Sequence, residues 1–189
     1  MILLLLISFS SSSAQRSTYY RRIFVDAEYY MLYEEYRDAL PLYQELYKAY
    51  PNNYNLAYRI GLCYLNIPNE KAKSLPYFEK AITSISNNYK EGYFTETNAP
   101  KDAYLHYGRA LRILGQFDKA QKAFEIYKNL LKTNEITELR IVRKELEALD
   151  NARYFTSNPL KHRMNPVGRN ITTRFPEVNP VSDSSGNTL

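Results

Sequence analysis

Gly61-Leu62-Cys63-Tyr64, followed ten positions later by Ser74-Leu75-Pro76-Tyr77-Phe78, is the stretch that decides the fold. It sets a small residue three positions before a large one, then a second small residue four positions before another. These are the spacings of one helix face. Both signatures recur. Ala27-x-x-Tyr30 stands 34 positions before Gly61 and leads to Ala39-x-x-x-Tyr43, while Gly108-x-x-Leu111 stands 47 positions after it and leads to Ala120-x-x-x-Phe124. Leu40-Pro41 and Leu75-Pro76 share a further detail. A small residue on the first helix admits the second at close range, and the large residue three places on fills the groove beside it. The prolines are expected in the first turn of each second helix, where a missing N–H costs least.

The signatures divide the chain into units at about 20–53, 54–87 and 101–134. Turn-like segments separate each pair at residues 33–36, 66–69 and 114–117, and Pro51-Asn52-Asn53 closes the first unit. An insertion at residues 87–100, carrying Tyr89, Tyr93 and Phe94, precedes the third. This pattern resembles the tetratricopeptide repeat (TPR) family, in which two antiparallel helices occupy about 34 residues. The resemblance implies an all-α, right-handed superhelix of antiparallel helix pairs. Such a stack needs a cap. Residues 135–153 supply one, with Leu139, Val142, Leu146 and Leu149 forming an amphipathic stripe. The helical domain is therefore expected over residues 15–153.

Composition removes many alternatives. The chain has 189 residues, six of them glycine, too few for the tight turns of sandwiches, barrels and phosphate-cradling loops. Its one cysteine, Cys63, and two histidines, His106 and His162, cannot assemble a zinc cluster. Cys63 lies in an apolar run and reads as a core residue, His106 as a packed or solvated one. The charge of +5 comes from 25 basic and 20 acidic residues interspersed along the chain, a pattern of solvated helix faces with no basic patch for nucleic acid. No nucleophile motif is present. No catalytic, cofactor-binding or metal-binding residue is assigned, and no cofactor is expected.

The first residues, Met1-Ile-Leu-Leu-Leu-Leu-Ile7, then a serine-rich stretch ending at Ala14, read as a secretory signal at residues 1–14, although no Lys or Arg precedes the apolar run. The run is too short to cross a bilayer. An exported, periplasmic protein associated with the outer membrane is the expectation. From residue 154 the composition changes to an irregular tail broken by Asn158-Pro159, Asn165-Pro166, Pro176 and Pro180. Asn165-Pro-Val-Gly-Arg-Asn-Ile-Thr-Thr173 and Phe175-Pro-Glu-Val-Asn-Pro-Val-Ser-Asp-Ser-Ser-Gly-Asn-Thr-Leu189 are similar to the entry and opening run of a PD40 (WD40-like) propeller. Residues 154–189 thus read as a linker and the truncated start of such a propeller. The whole resembles the N-terminal part of envelope proteins that join TPR repeats, a PD40 propeller and an OmpA-like domain, among them a component of type IX secretion and gliding machinery.

In the TPR family the first helix of each pair lines the concave face, where extended peptides bind. Carried over by position, that face comprises Phe24, Glu28 and Met31 in the first unit, Asn55, Tyr58, Leu62 and Leu65 in the second, and Asp102, Leu105, Arg109 and Arg112 in the third. Phe24 and Glu28 stand where carboxylate-gripping members carry Lys and Asn, which argues against that mode, while Arg109 and Arg112 suggest a basic end. The expected function is a non-enzymatic protein–protein interaction scaffold of the cell envelope, in a secretion or outer-membrane complex. Any hold on peptidoglycan through an OmpA-like domain would need residues absent from this chain. The alternative is a peptidoglycan- or glycan-binding module in which some of the nineteen tyrosines act as stacking platforms.

Overall fold

The computed structural model describes residues 2–159 of the chain. The described residues form seven α-helices: α1 (Ile2–Leu32), α2 (Tyr36–Ala49), α3 (Tyr54–Asn66), α4 (Leu75–Ala81), α5 (Ala103–Ile113), α6 (Phe117–Leu130) and α7 (Ile136–Ser157). A 3-10 turn, Lys71–Ser74, leads into α4, and two-residue strands β1 (Ile85–Ser86) and β2 (Ala99–Pro100) pair in parallel. The chain divides into one compact unit, Met1–Tyr154, and a second, Phe155–Leu189, whose described residues finish α7. The propeller-like motifs expected after residue 160 lie outside the described residues. The fold is all-α, as the repeat spacing predicts.

Connections of three residues join α1 to α2 and α5 to α6, and four join α2 to α3. Loops that short force each helix back alongside its predecessor. The two shortest loops are copies of each other. Glu34 and Gly115 both adopt left-handed backbone, with φ of 60° and 72°. The N–H of Glu34 reaches the Met31 carbonyl and that of Glu35 the Tyr30 carbonyl, at 3.1 and 2.9 Å; Gly115 reaches Arg112 and Gln116 reaches Leu111 at the same distances. This left-handed stop satisfies carbonyls that a helix end leaves open. Tyr30 and Leu111, the large residues of the first signature, accept the equivalent bond.

The helices are amphipathic in the expected register. Ala39, Tyr43 and Leu46 point inward from α2, and Ala120, Ala123, Phe124 and Tyr127 from α6. Central α3 is buried over most of its length, and the side chain of Asn53 caps it by accepting from the Leu56 N–H at 2.9 Å. The core is strung along the chain. One cluster joins α1, α2 and α3, a second joins α3, α4 and α5, and a third joins α5, α6 and α7. Each element thus buries its apolar face on near neighbours in sequence, the logic of a repeat stack.

One expectation needs correction. Pro76 does stand in the first turn of α4, but α2 begins at Tyr36, so Pro41 lies inside that helix. The three-residue turn starts α2 early, and the proline ring is accommodated on its exposed side. The second helix of the middle unit, α4, is short: Asn69 takes φ 65°, and Lys71–Ser74 form the 3-10 turn that leads into it.

The cap packs as its stripe predicts: Val142 and Leu149 of α7 are buried and Leu146 packs beside them. At the other end, the backbone of α1 runs unbroken from Ile2 to Leu32, so the apolar opening run and the first repeat helix are one element. No helix among the described residues is long and apolar enough to cross a membrane.

Candidate functional site

The eleven residues carried over to the partner face do not form one open surface. Five belong to the interior. Phe24, Asn55, Tyr58, Leu65 and Leu105 are between 0% and 7% exposed. Tyr58 packs against Phe78 and His106, with ring centroids 6.3 and 5.9 Å away. Asp102 accepts from the Tyr127 hydroxyl at 2.6 Å. Arg109 and Arg112 are not free cations on the face. Both donate to the Glu145 carboxylate of α7, at 2.8 and 3.1 Å, so the cap offsets one of the two charges expected to face a partner.

The remaining three, Glu28, Met31 and Leu62, lie together where α1 meets α3. With Leu32, Glu34, Tyr36, Arg59 and Glu91 they line an open cavity of about 530 Å³. Its floor is Arg59, whose side chain is 5% exposed. The guanidinium pairs with Glu28 at 3.0 Å and Glu91 at 3.5 Å, and donates to the Tyr89 hydroxyl at 3.3 Å; its Nε is shut from water without a partner. Tyr43 donates to the same Glu28 carboxylate at 2.5 Å. A buried charge needs such partners, because desolvation alone makes it costly. Repeat position does not select Arg59, but its chemistry marks it: it interrupts the apolar run from Leu56 to Leu65, and a charge in the middle of a buried helix must be matched from another element.

Glu28 of α1 supplies the nearest charge, and further partners come from the insertion, which lies against this face. Tyr89 donates its hydroxyl proton to Asn55 Oδ1 at 2.7 Å, and burial pushes its pKa up to about 12. Phe94 sits edge-on to Phe24 and Tyr50, with centroids 5.8 and 6.1 Å away. The Thr97 carbonyl accepts the N–H groups of Tyr54 and Asn55 at 2.8 and 3.1 Å, satisfying donors that the start of α3 leaves open. The Asn55 side chain donates to the Glu96 carbonyl at 3.4 Å. Sequence spacing marks the insertion but not its destination.

Elsewhere, the ring of His106 stacks 6.1 Å from Phe78, with Nδ1 shut from solvent. Burial, reinforced by Arg109, lowers its pKa to about 3, so it is a neutral packed ring. Cys63 is fully buried, its thiol 3.6 Å from the Met31 sulfur, and burial pushes its pKa up to about 12. Such a thiol is unreactive. Among the described residues no group of three or more His, Cys, Asp or Glu is placed to hold a metal ion.

No family model matches the chain, and no curated protein matches it. The chain is similar to a solved helical-repeat domain. This is the NMR structure of the first TPR domain of the human RPAP3 protein, 20% identical, with a TM-score of 0.48, covering 68% of this chain and 93% of that one. The fold described above rests on the helix packing of this chain itself.

Proposed function

We propose that the protein is a non-enzymatic interaction scaffold that holds an extended segment of a protein partner on the face between α1 and α3. The observation that carries this reading is the open cavity there. Apolar walls from Met31, Leu32, Tyr36 and Leu62 surround the Glu28–Arg59 pair. Apolar surface with a few fixed polar groups is what a bound chain segment needs. The apolar run at Met1–Ile7 and the serine-rich stretch to Ala14 support an exported protein of the cell envelope, in the periplasm and associated with the outer membrane, serving a secretion or outer-membrane complex.

A photo-crosslinking amino acid at Met31 or Leu62 tests the reading in cells. A discrete protein adduct is expected at those positions and not at Ile126, which is exposed on α6. Equal labelling at all three positions counts against the face. Periplasmic fractionation tests the location.

A glycan-binding reading has one observation in its favour. Tyr29 in the last turn of α1 and Tyr33 just beyond it are exposed, with ring centroids 4.8 Å apart, and offer ring faces on which a sugar can stack. Sedimentation with purified peptidoglycan separates the two, since a protein-binding scaffold stays in the supernatant.

A further inference from the structure

The insertion does what a bound partner segment would do. In order along the chain it presents a hydroxyl to Asn55 and Arg59 (Tyr89), a carboxylate to Arg59 (Glu91), a ring to Phe24 and Tyr50 (Phe94), and main-chain carbonyls to Asn55 and the start of α3 (Glu96 and Thr97). Resting on the scaffold reading above, we infer that the open cavity is one part of the partner's seat and that residues 89–94 are an internal occupant of the adjoining part, at Asn55, Arg59, Phe24 and Tyr50. The partner it holds off presents an extended segment with an acidic and an aromatic residue spaced as Glu91 and Phe94 are.

The tip is built to leave while its neck stays. The neck is fixed by the β1–β2 pairing, by the Ala99 N–H on the Ser84 carbonyl at 2.9 Å, and by the Ser84 hydroxyl on Asn98 at 2.8 Å. The tip turns at Gly92 with φ 73°, and Lys90, Glu91, Gly92 and Tyr93 are exposed. Open grooves flank it: one of about 230 Å³ bordered by Arg21, Phe24 and Val25 lies along one side, and the 530 Å³ cavity begins at Glu91 on the other, so solvent reaches the tip from both sides. Glu91 itself is 78% exposed and meets Arg59 at 3.5 Å, a pair weakly held. Lifting residues 89–94 unpairs no helix.

The partner's chemistry follows from what is vacated. A carboxylate taking the place of Glu91 keeps the charge around Arg59 and Glu28 unchanged, whereas a neutral or basic group does not. An aromatic ring refills the seat between Phe24 and Tyr50. Because the occupant is tethered at both ends, its effective concentration is in the millimolar range, and a free segment with the same contacts competes poorly until the tip is weakened. The insertion thus sets a threshold for binding.

A fluorescein-labelled peptide with the sequence of residues 87–98 is the probe, and fluorescence polarisation with the full chain the readout. The Tyr89→Phe/Phe94→Ser variant, whose own tip is weakened, should bind it at least about tenfold more tightly than the wild type does. A peptide carrying Glu91→Gln and Phe94→Ala should lose that gain. Equal affinity for wild type and variant, with unchanged far-UV circular dichroism, overturns the inference, as does equal binding of a scrambled peptide. Amide exchange on the wild type keeps the test open if the variant misfolds. Millimolar peptide should speed exchange at residues 89–94 and leave α1 and α3 protected, and no change at the tip overturns the inference. If Met31 crosslinks to a partner while the tip never exchanges faster, the scaffold reading stands and the internal-occupant inference fails. If the peptide binds as expected and no partner crosslinks at Met31 or Leu62, the tip is a displaceable occupant and it is the scaffold reading that fails.

Discussion

The aromatic ring of Phe124 fills the space that a side chain on Gly108 would need, and the ring of Phe78 stands in the same relation to Gly61, 2.8 Å from where a Cβ would sit. Ala27 and Tyr43 are the corresponding pair in the first unit, both fully buried. The ring-on-glycine contact, used twice, sets the distance between α3 and α4 and between α5 and α6.

Gly108→Ala should therefore destabilise the protein, although alanine is the better helix former by about 1 kcal/mol. Forcing a methyl into a filled site costs about 1–3 kcal/mol, and a net loss of ~1–2 kcal/mol is expected in urea unfolding. Combining it with Phe124→Leu should recover part of that loss. Gly61→Ala should behave alike against Phe78. A gain in stability from either single substitution would show that the helices do not meet there.

Glu34 holds a left-handed backbone that its counterpart Gly115 adopts freely. A side chain in that conformation costs about 1 kcal/mol. Glu34→Gly should raise the urea midpoint by the equivalent of ~0.5–1 kcal/mol, and Gly115→Ala should lower it by a similar amount. Opposite signs at the two positions are the signature of a repeated turn.

Glu145 ties α7 to α5 through both Arg109 and Arg112, and it is 14% exposed. Glu145→Gln leaves two cations facing a neutral amide, with Arg112 Nε already lacking a partner. Bonds between charged groups contribute about 1.5–3 kcal/mol, so the variant should lose stability on that order. Amide exchange should quicken in α7 before it does in α3. If α7 keeps its protection, apolar contacts at Val142 and Leu149 hold the cap alone.

His106 gives a pH dependence with a definite sign. Its pKa in the folded chain, about 3, is below the ordinary histidine value of 6.5 that it has when unfolded. Between those values the unfolded chain binds a proton that the folded chain does not. Stability from this residue is thus complete above pH 6.5 and falls as the pH drops towards 3, by up to about 1.4 kcal/mol per pH unit. His106→Gln should flatten the slope of stability against pH across that window, as read from urea titrations at pH 4, 5, 6 and 7.

The helix pairs were legible because their cause is local. The period of a helix places Ala27 and Tyr30, or Gly61 and Tyr64, on one face within a single turn, and a helix so marked has few ways to meet the next across a three-residue loop. The stripe of α7 and the burial of Cys63 follow from the same periodicity. The partner face was not legible by position alone. Counting from the signatures selects Phe24, Asn55 and Tyr58 correctly as residues on the first helices, but not whether something covers them. What covers Asn55 and Arg59 comes from residues 30 to 41 positions later, and Phe94 reaches Phe24 across a still longer gap. No period links such residues. Sequence by itself determined the paired helices, through steric demands that repeat every few residues; only the tertiary structure decided that the insertion lies on α1 and α3 and that Glu145 pairs with both arginines. Those contacts depend on where a closed loop and a terminal helix come to rest, and burial of Arg59 makes a matching charge there a physical requirement.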